Sequence, residues 1–409
     1  MSWEVHIDWI DQSCLVGRLH VAERNPAASF EYATEWLNGP TPFSIDPTDL
    51  PLGPGPRHSP GLFGVFQDCG PDRWGRVLVE RAARKGVLER KPYSDFDYVI
   101  ALEDASRLGA LRFRADAKSP FLATSQGRLP PLVRLQALLH AADAIHAETD
   151  TAADLKFLLG AGSPLGGARP KAAVGLPDGR LAIAKFAKPD DSRDIAFGEI
   201  LALTLAARAG IQVVEHQLIR IGQHSVAVIT RFDRSGKKRI PFLSGATLLG
   251  LPRDDPGAYT VLADAIRQFG DDVSRDLAEL WRRLVFSLLA SNYDDHLRNH
   301  GFLMHNAGRW SLSPAYDINP VPEIDRVHMW KTPISEDGFE PGIAGALEVA
   351  SRFGLKAAEA RATLREVFGA VSIWRKIAGK LGMRGSTLET YSSAFENKLV
   401  DEARTLLKK

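Results

Sequence analysis

The chain has 409 residues, of which 44% are hydrophobic and 25% charged, and a formal net charge of +1. This is an ordinary globular balance, long enough for roughly two or three domains, and it gives no drive for wholesale binding to nucleic acid or acidic membranes. Cys14 and Cys69 cannot build a disulfide framework, no apolar run of signal-peptide length opens the chain, and 284–290 is far too short to span a bilayer, so the expectation is a cytoplasmic protein with no membrane contact.

Apolar alternation predicts strands over Val5–Ile10 and Cys14–Val21, with a third at Ala28–Tyr32. Proline and glycine then forbid regular structure over 49–56. Pro71-Asp72 opens a helix through Trp74, Val77, Leu78 and Ala82, stopped by Gly86. A helix near Leu132–His146 gives way to a loop, and 160–171 is flexible and glycine-rich. There follow a hairpin, Ala172–Leu176 and Arg180–Phe186 around Pro177-Asp178-Gly179, and a helix from Ile195 to Ala209. Strands near Gln217–Ile221 and Val226–Phe232 end the β-rich part. Beyond about 240 the pattern is mainly helical, with two short strands around 301–313. The predicted class is α+β, with a β-rich N-terminal half and a mainly helical C-terminal half. Its parts are an N-terminal β-rich subdomain (1–106), a second β-rich lobe (107–235) and a helical lobe (236–409).

Three pieces of sequence point to phosphoryl transfer. In the strand 181–185, alternation puts Lys185 on one face with Leu181 and Ile183. A lysine there needs a negative partner, a nucleotide phosphate or Glu199 of the next helix, unless it reaches out to water. Next, Asp294 and Asn299 stand in the D-x-x-x-x-N spacing of a kinase catalytic loop, where the carboxylate takes the hydroxyl proton and the amide oxygen binds Mg²⁺. His296 and His300 are four apart, as in a zinc helix, but Leu297 stands where the zinc motif has glutamate. Third, Asp317 follows the hairpin, where a kinase keeps its second magnesium ligand; an Asx-turn residue before proline is the plainer alternative. By position, the segment from Val228 to Arg234 would supply an adenine-binding hinge, although Arg231 and Arg234 could equally form a surface pair with Asp233. The basic stretch 374–380 reads as a solvated face or as a phosphate contact.

Several segments, in this order, resemble the HipA family of bacterial serine/threonine kinases, the toxins of HipA–HipB toxin–antitoxin systems. They are the N-terminal strands, Pro71-Asp72-Arg73-Trp74-Gly75-Arg76, Gly166-Gly167-Ala168-Arg169-Pro170-Lys171, Arg231-Phe232-Asp233-Arg234, Asp294 to Asn299, and Ser313-Pro314-Ala315-Tyr316-Asp317. The resemblance implies a protein-kinase-like bilobal fold, with 107–235 as the ATP-binding lobe and 236–409 as the catalytic lobe, and ATP held by Gly166, Gly167, Ala168, Arg169, Pro170, Lys171, Lys185, Thr230, Arg231, Phe232, His296, Leu297, Arg298, Asn299, Tyr316 and Asp317. It makes Asp294 the catalytic base and Asn299 with Asp317 the Mg²⁺ ligands. It also implies a small HipB-like helix-turn-helix antitoxin that contacts DNA, and a protein substrate such as an aminoacyl-tRNA synthetase, whose phosphorylation leads to growth arrest or persistence. The family's autophosphorylated serine falls at Pro164 here, leaving the adjacent Ser163 as the candidate. A small-molecule kinase and a nucleotide-binding regulator without turnover are the competing readings.

Overall fold

In the computed structural model, the described residues are 1–9, 12–22, 26–122, 129–162, 167, 169–188, 190–252, 254–326, 330–338 and 341–408. Alternating apolar residues build a first antiparallel sheet from β1 (Ser2–Trp9), β2 (Gln12–Val21), β3 (Ala28–Tyr32), β4 (Arg57–Ser59) and β5 (Leu111–Arg114), in the order β4-β3-β2-β1-β5. The boundary expected at 106 needs correcting for this sheet, because β5 pairs with β1 through Val5 opposite Phe113. Phe30, Phe66, Phe96 and Phe113 fill its core in edge-to-face and tilted contacts.

A second antiparallel sheet holds β6 (Lys171–Gly175), β7 (Leu181–Phe186), β8 (His216–Ile221) and β9 (His224–Thr230), in the order β6-β7-β9-β8. Its strands alternate small and branched apolar residues. Ala182, Ala184, Phe186, Val226 and Val228 pack against the helices Arg73–Arg84, Leu135–His146 and Ala152–Ala161. The opposite face carries Ile183, Lys185, Ala227 and Ile229, and Ala227 and Ile229 join the main core with the helix Ile195–Arg208. The expected loop after His146 is present but short, 147–151, and leads into a helix the sequence reading did not assign, Ala152–Ala161. Thr151 and Asp154 form its capping box, and Gly162, at φ +71°, ends it.

The two-residue hairpin of β10 (Arg234–Ser235) and β11 (Lys238–Arg239) leads into the helical lobe, where β12 (Phe242–Ser244), β13 (Gly301–Asn306) and β14 (Arg309–Leu312) form a small sheet. β12 is an addition to the expected pair; three residues are too few to show a period. The helix Val273–Leu289 runs through this lobe's core with Trp281, Leu284, Val285 and Leu288 buried. The basic stretch near its end is held within the chain, since Arg375 binds Glu396 at 2.6 Å and Glu389 at 2.9 Å. Among the described residues, no helix is long and apolar enough to cross a membrane.

Candidate active site

The second sheet and the helical lobe meet at Lys185. Its Nζ donates to Glu199 Oε1 and to Asp317 Oδ1, each at 2.7 Å. β7 delivers the lysine, the helix Ile195–Arg208 the glutamate, and the segment after β14 the aspartate. Asp317 adopts φ +55°, a left-handed conformation that costs a non-glycine residue energy and turns its carboxylate back toward β7. Burial works against the Lys185 ammonium, but Asp317 and Glu199 outweigh it and hold its pKa above the usual lysine range. Burial likewise opposes ionisation of Asp317, yet Lys185 and Lys171 keep its carboxyl well below the ordinary range. Glu199 goes the other way: burial raises it and Lys185 only partly offsets that.

A second lysine stands across the ladder, Lys171 of β6 opposite Lys185 of β7. It is buried, donates to the Asp72 carboxylate and reaches Gly167 O at 2.9 Å. Asp72 also caps the Arg73–Arg84 helix by accepting from Gly75 N at 2.8 Å, and Trp74 Nε1 donates to Lys171 O at 3.1 Å. The Pro71–Arg76 motif therefore clamps the start of β6, a task the sequence reading did not assign. Arg169 is bound to Asp191 at 2.5–2.6 Å, and Pro170 O accepts from Phe186 N at 2.9 Å. Ser163, Gly166 and Ala168 lie outside the described residues.

The loop 291–300 follows the Val273–Leu289 helix and opens with Ser291 at φ +51°. Asn292 Oδ1 accepts from Asn319 N at 3.0 Å, tying the loop to the strand end that carries Asp317. Asp295 is buried and holds Tyr259 OH, Ser287 Oγ at 3.1 Å and His300 Nε2 at 3.2 Å. Leu297 fills the core. These anchors leave Asp294 exposed to solvent at the loop's open side, with Asn299 Nδ2 donating to its carbonyl at 3.2 Å. Partial burial raises the Asp294 carboxyl; His296 lowers it and the Asp317 charge raises it again. Burial, then Arg298, hold the His296 imidazole below its ordinary value. The zinc reading of His296 and His300 gains no support: His300 faces Asp295, and among the described residues no three His, Cys, Asp or Glu side chains are grouped for a metal.

An apolar slot is lined by Ile183, Ile229, Thr230, Phe232 and Tyr316, with Lys185 and Asp317 at one end. Phe232 and Tyr316 have ring centroids 5.1 Å apart, and Tyr316 OH donates to Arg298 O at 2.7 Å. Arg231 borders the slot, but its guanidinium turns away to Asp233 Oδ1 at 2.8 Å, Ser106 O at 2.6 Å and Arg107 O at 2.8 Å. The surface pair allowed by the sequence is corrected here, since Arg231 and Asp233 are buried. Asn299 and Asp317 supply one amide oxygen and one carboxylate. That sparse donor set suits Mg²⁺, which keeps several waters and takes phosphate oxygens as well.

A small antiparallel sheet whose lysine is gripped by a helix glutamate, set over a helical lobe with an acidic loop and a post-hairpin aspartate, defines a kinase-like fold. The chain matches the HipA-like C-terminal domain over residues 163–374 and the HipA N-terminal domain over residues 9–114. It belongs to the HipA family. It is 33% identical over 144 residues to "Putative kinase Y4dM" of Sinorhizobium fredii, covering 31% of this chain and 34% of that protein. A Haemophilus influenzae protein, "Putative kinase", is 28% identical over 155 residues, covering 33% of this chain and 45% of the other. The chain thus spans less than half the length of either relative. HipA of Shewanella oneidensis, solved with HipB and its operator DNA, superposes with a TM-score of 0.70 at 15% identity, over 98% of this chain and 97% of that one. At that identity the likeness is one of fold.

Proposed function

We propose that the protein is an ATP- and Mg²⁺-dependent serine/threonine protein kinase. One observation carries this reading: Lys185 is held 2.7 Å from both Glu199 and Asp317, beside an apolar slot and an acidic loop. Family membership and the names of the relatives support it. Ile183, Ile229, Phe232 and Tyr316 would cover the adenine, and Lys185, its charge secured by two carboxylates against the cost of burial, would steady the phosphates. Bound Mg²⁺, held by Asn299 and Asp317, would offset phosphate charge. Asp294 would orient the acceptor hydroxyl and take its proton as the new O–P bond forms and the bond from the γ-phosphorus to the departing ADP breaks, a role that suits a carboxylate raised above its ordinary range. Burial and the neighbouring Arg298 favour the neutral form of the His296 imidazole. Leu297 and Asp295 would act only by holding the loop in place.

By family likeness we extend the proposal to a HipB-like antitoxin as partner and to a protein target of the aminoacyl-tRNA synthetase kind, with growth arrest as the outcome. Incubation of the full chain with Mg²⁺, labelled ATP and a cell lysate tests the activity. Wild-type protein should label a lysate protein, and Asp294→Asn should bind nucleotide without labelling it. Nucleotide binding with no transfer by the wild type would leave a regulator without turnover.

A further inference from the structure

Three elements carry the site, and one helix is tied to all three. Glu199 comes from the helix Ile195–Arg208, Asp317 from the segment after β14, and Asp294 from the loop 291–300. The helix Gly385–Phe395 lies beyond residue 374, where the match to the HipA-like C-terminal domain ends. It is bonded to the first two elements directly and to the third through one further side chain. We propose that this helix is a strut for the site, in which Tyr391 is the positioning residue that holds Glu199 against Lys185. The inference rests on the kinase reading above and adds what keeps its lysine–glutamate pair assembled.

The contact with the glutamate helix is the closest. Tyr391 is buried, and its hydroxyl donates to Asp194 O at 2.9 Å, the carbonyl that also accepts from Gly198 N at 3.0 Å to close the first turn. Asp194 caps that turn, its Oδ1 accepting from Phe197 N at 3.0 Å. Gly198 stands immediately before Glu199. A Cβ there would overlap the Tyr391 hydroxyl and stand 2.7 Å from Cζ, so the backbone meets the ring at a distance only glycine permits. Glycine is a poor helix former and its neighbours on this helix are Ala, Phe, Ile and Leu, so close approach is the physical reason for it at 198. The Arg193 guanidinium lies 5.5 Å from the centre of the same ring, pairs with Asp325 at 3.0 Å and donates to Pro320 O at 3.3 Å, just past Asp317. Ser393 continues the hold: its Oγ accepts from Glu323 N at 2.9 Å and its carbonyl from Arg326, which also donates to Ser291 Oγ at 3.1 Å. Asn397, just past the helix, donates to that Ser291 Oγ at 3.1 Å, where the acidic loop opens. Were Glu199 to draw back, Lys185 would be left with Asp317 alone, the carboxylate assigned above to Mg²⁺.

Tyr391→Phe keeps the ring and deletes the hydroxyl. In the full chain it should quicken hydrogen exchange of the amides of 195–201 about fivefold, the scale of one hydrogen bond. With Mg²⁺, labelled ATP and a cell lysate, the labelling rate at saturating ATP should fall about fivefold while the KM for ATP moves less than about twofold, because the adenine slot is untouched. Glu199→Gln should slow labelling further, and adding Tyr391→Phe to it should cost nothing more, since the tyrosine acts through the glutamate. A general loss of packing would instead make the two losses multiply. Gly198→Ala gives a second route to the same helix, with faster exchange and slower labelling expected. Wild-type exchange and labelling in both Tyr391→Phe and Gly198→Ala, or multiplied losses in the double variant, would overturn the strut while leaving the protein a kinase. Should wild type label nothing and release no ADP, the kinase reading falls and takes the positioning role with it, whatever the exchange shows.

Discussion

Two buried ionic clusters lie at opposite ends of β9's connections, and they are built on opposite principles. Around Asp233, two guanidiniums face one carboxylate, and their remaining N–H groups go to the carbonyls of Ser106, Arg107 and Gly109. Asp233 also accepts from Gly109 N at 2.8 Å. The surplus positive charge is absorbed by backbone, and the cluster ties the segment after β9 to the end of the N-terminal domain. Around Lys185 the surplus is negative: one ammonium lies between Glu199 and Asp317, with Asn319 Nδ2 donating to Asp317 Oδ1 at 3.2 Å, and among the described residues no guanidinium completes the pairing. A cluster with two carboxylates for one ammonium can take a further cation, whereas one with its donors matched to carbonyls is a rivet. Residue types alone do not distinguish them; the sign of the leftover charge does.

The largest effect that could break this contrast lies on the acidic side. Asp294→Asn should reduce phosphoryl transfer by about 10²–10⁴-fold, the usual worth of a general base, with the melting temperature unchanged because the residue is exposed. Single-turnover rates with labelled ATP measure it, and a wild-type rate would remove Asp294 from the chemistry. Asp233→Ala should do the reverse. Stranding two buried arginines costs about 3–5 kcal/mol, visible as a lower urea midpoint, while the KM for ATP of the folded fraction holds. An unchanged midpoint would mean the rivet carries no load.

Much of this was readable in the sequence, and what was not has a common cause. Alternation over 181–185 places Lys185 on the face opposite Ala182 and Ala184, and apolar spacing along 281–289 delivers the loop that follows; both are local patterns. The spacing of Asp294 and Asn299 is local too. Asp295 drew no assignment from the sequence, because its partners Tyr259 and Ser287 lie on helices whose approach no period records. Asp72 and Lys171 are 99 residues apart, so their pairing needed the fold. Arg231 was misjudged for the same reason: the carbonyls that bury it belong to residues 106 and 107.

A third buried carboxylate sharpens the comparison because no cation faces it. Asp46 accepts from Thr48 N and Asp49 N at Oδ1, and burial, with Asp49 and Asp68 adding their charge, carries its pKa from 3.8 up to about 7. A carboxyl raised in the folded state contributes stability below its unfolded pKa, and that contribution is lost as pH rises through about 7. Asp46→Asn keeps an acceptor oxygen and cannot ionise. It should therefore leave stability near pH 4 little changed and raise it at pH 8 by a few kcal/mol, at about 1.4 kcal/mol per pKa unit. Urea unfolding at the two pH values decides this, and an equal difference at both would show that Asp46 does not titrate with folding.

The smallest effect tests the seam between the nucleotide slot and the acidic loop. Tyr316→Phe keeps the ring against Phe232 and deletes only the hydroxyl that holds Arg298 O at 2.7 Å. One such bond is worth about 1 kcal/mol. If the tyrosine serves mainly as a wall for the adenine, the KM for ATP should move less than about twofold and transfer should be unaffected. If its hydroxyl also sets the loop's position, kcat should fall about fivefold at constant KM, because the Arg298 carbonyl lies between His296 and Asn299 on the same short turn. The second outcome is expected. The bond crosses from the segment carrying Asp317 to the loop carrying Asp294, and with Asn319 N to Asn292 Oδ1 and Val321 N to Ser291 O it holds those two carboxylates in register.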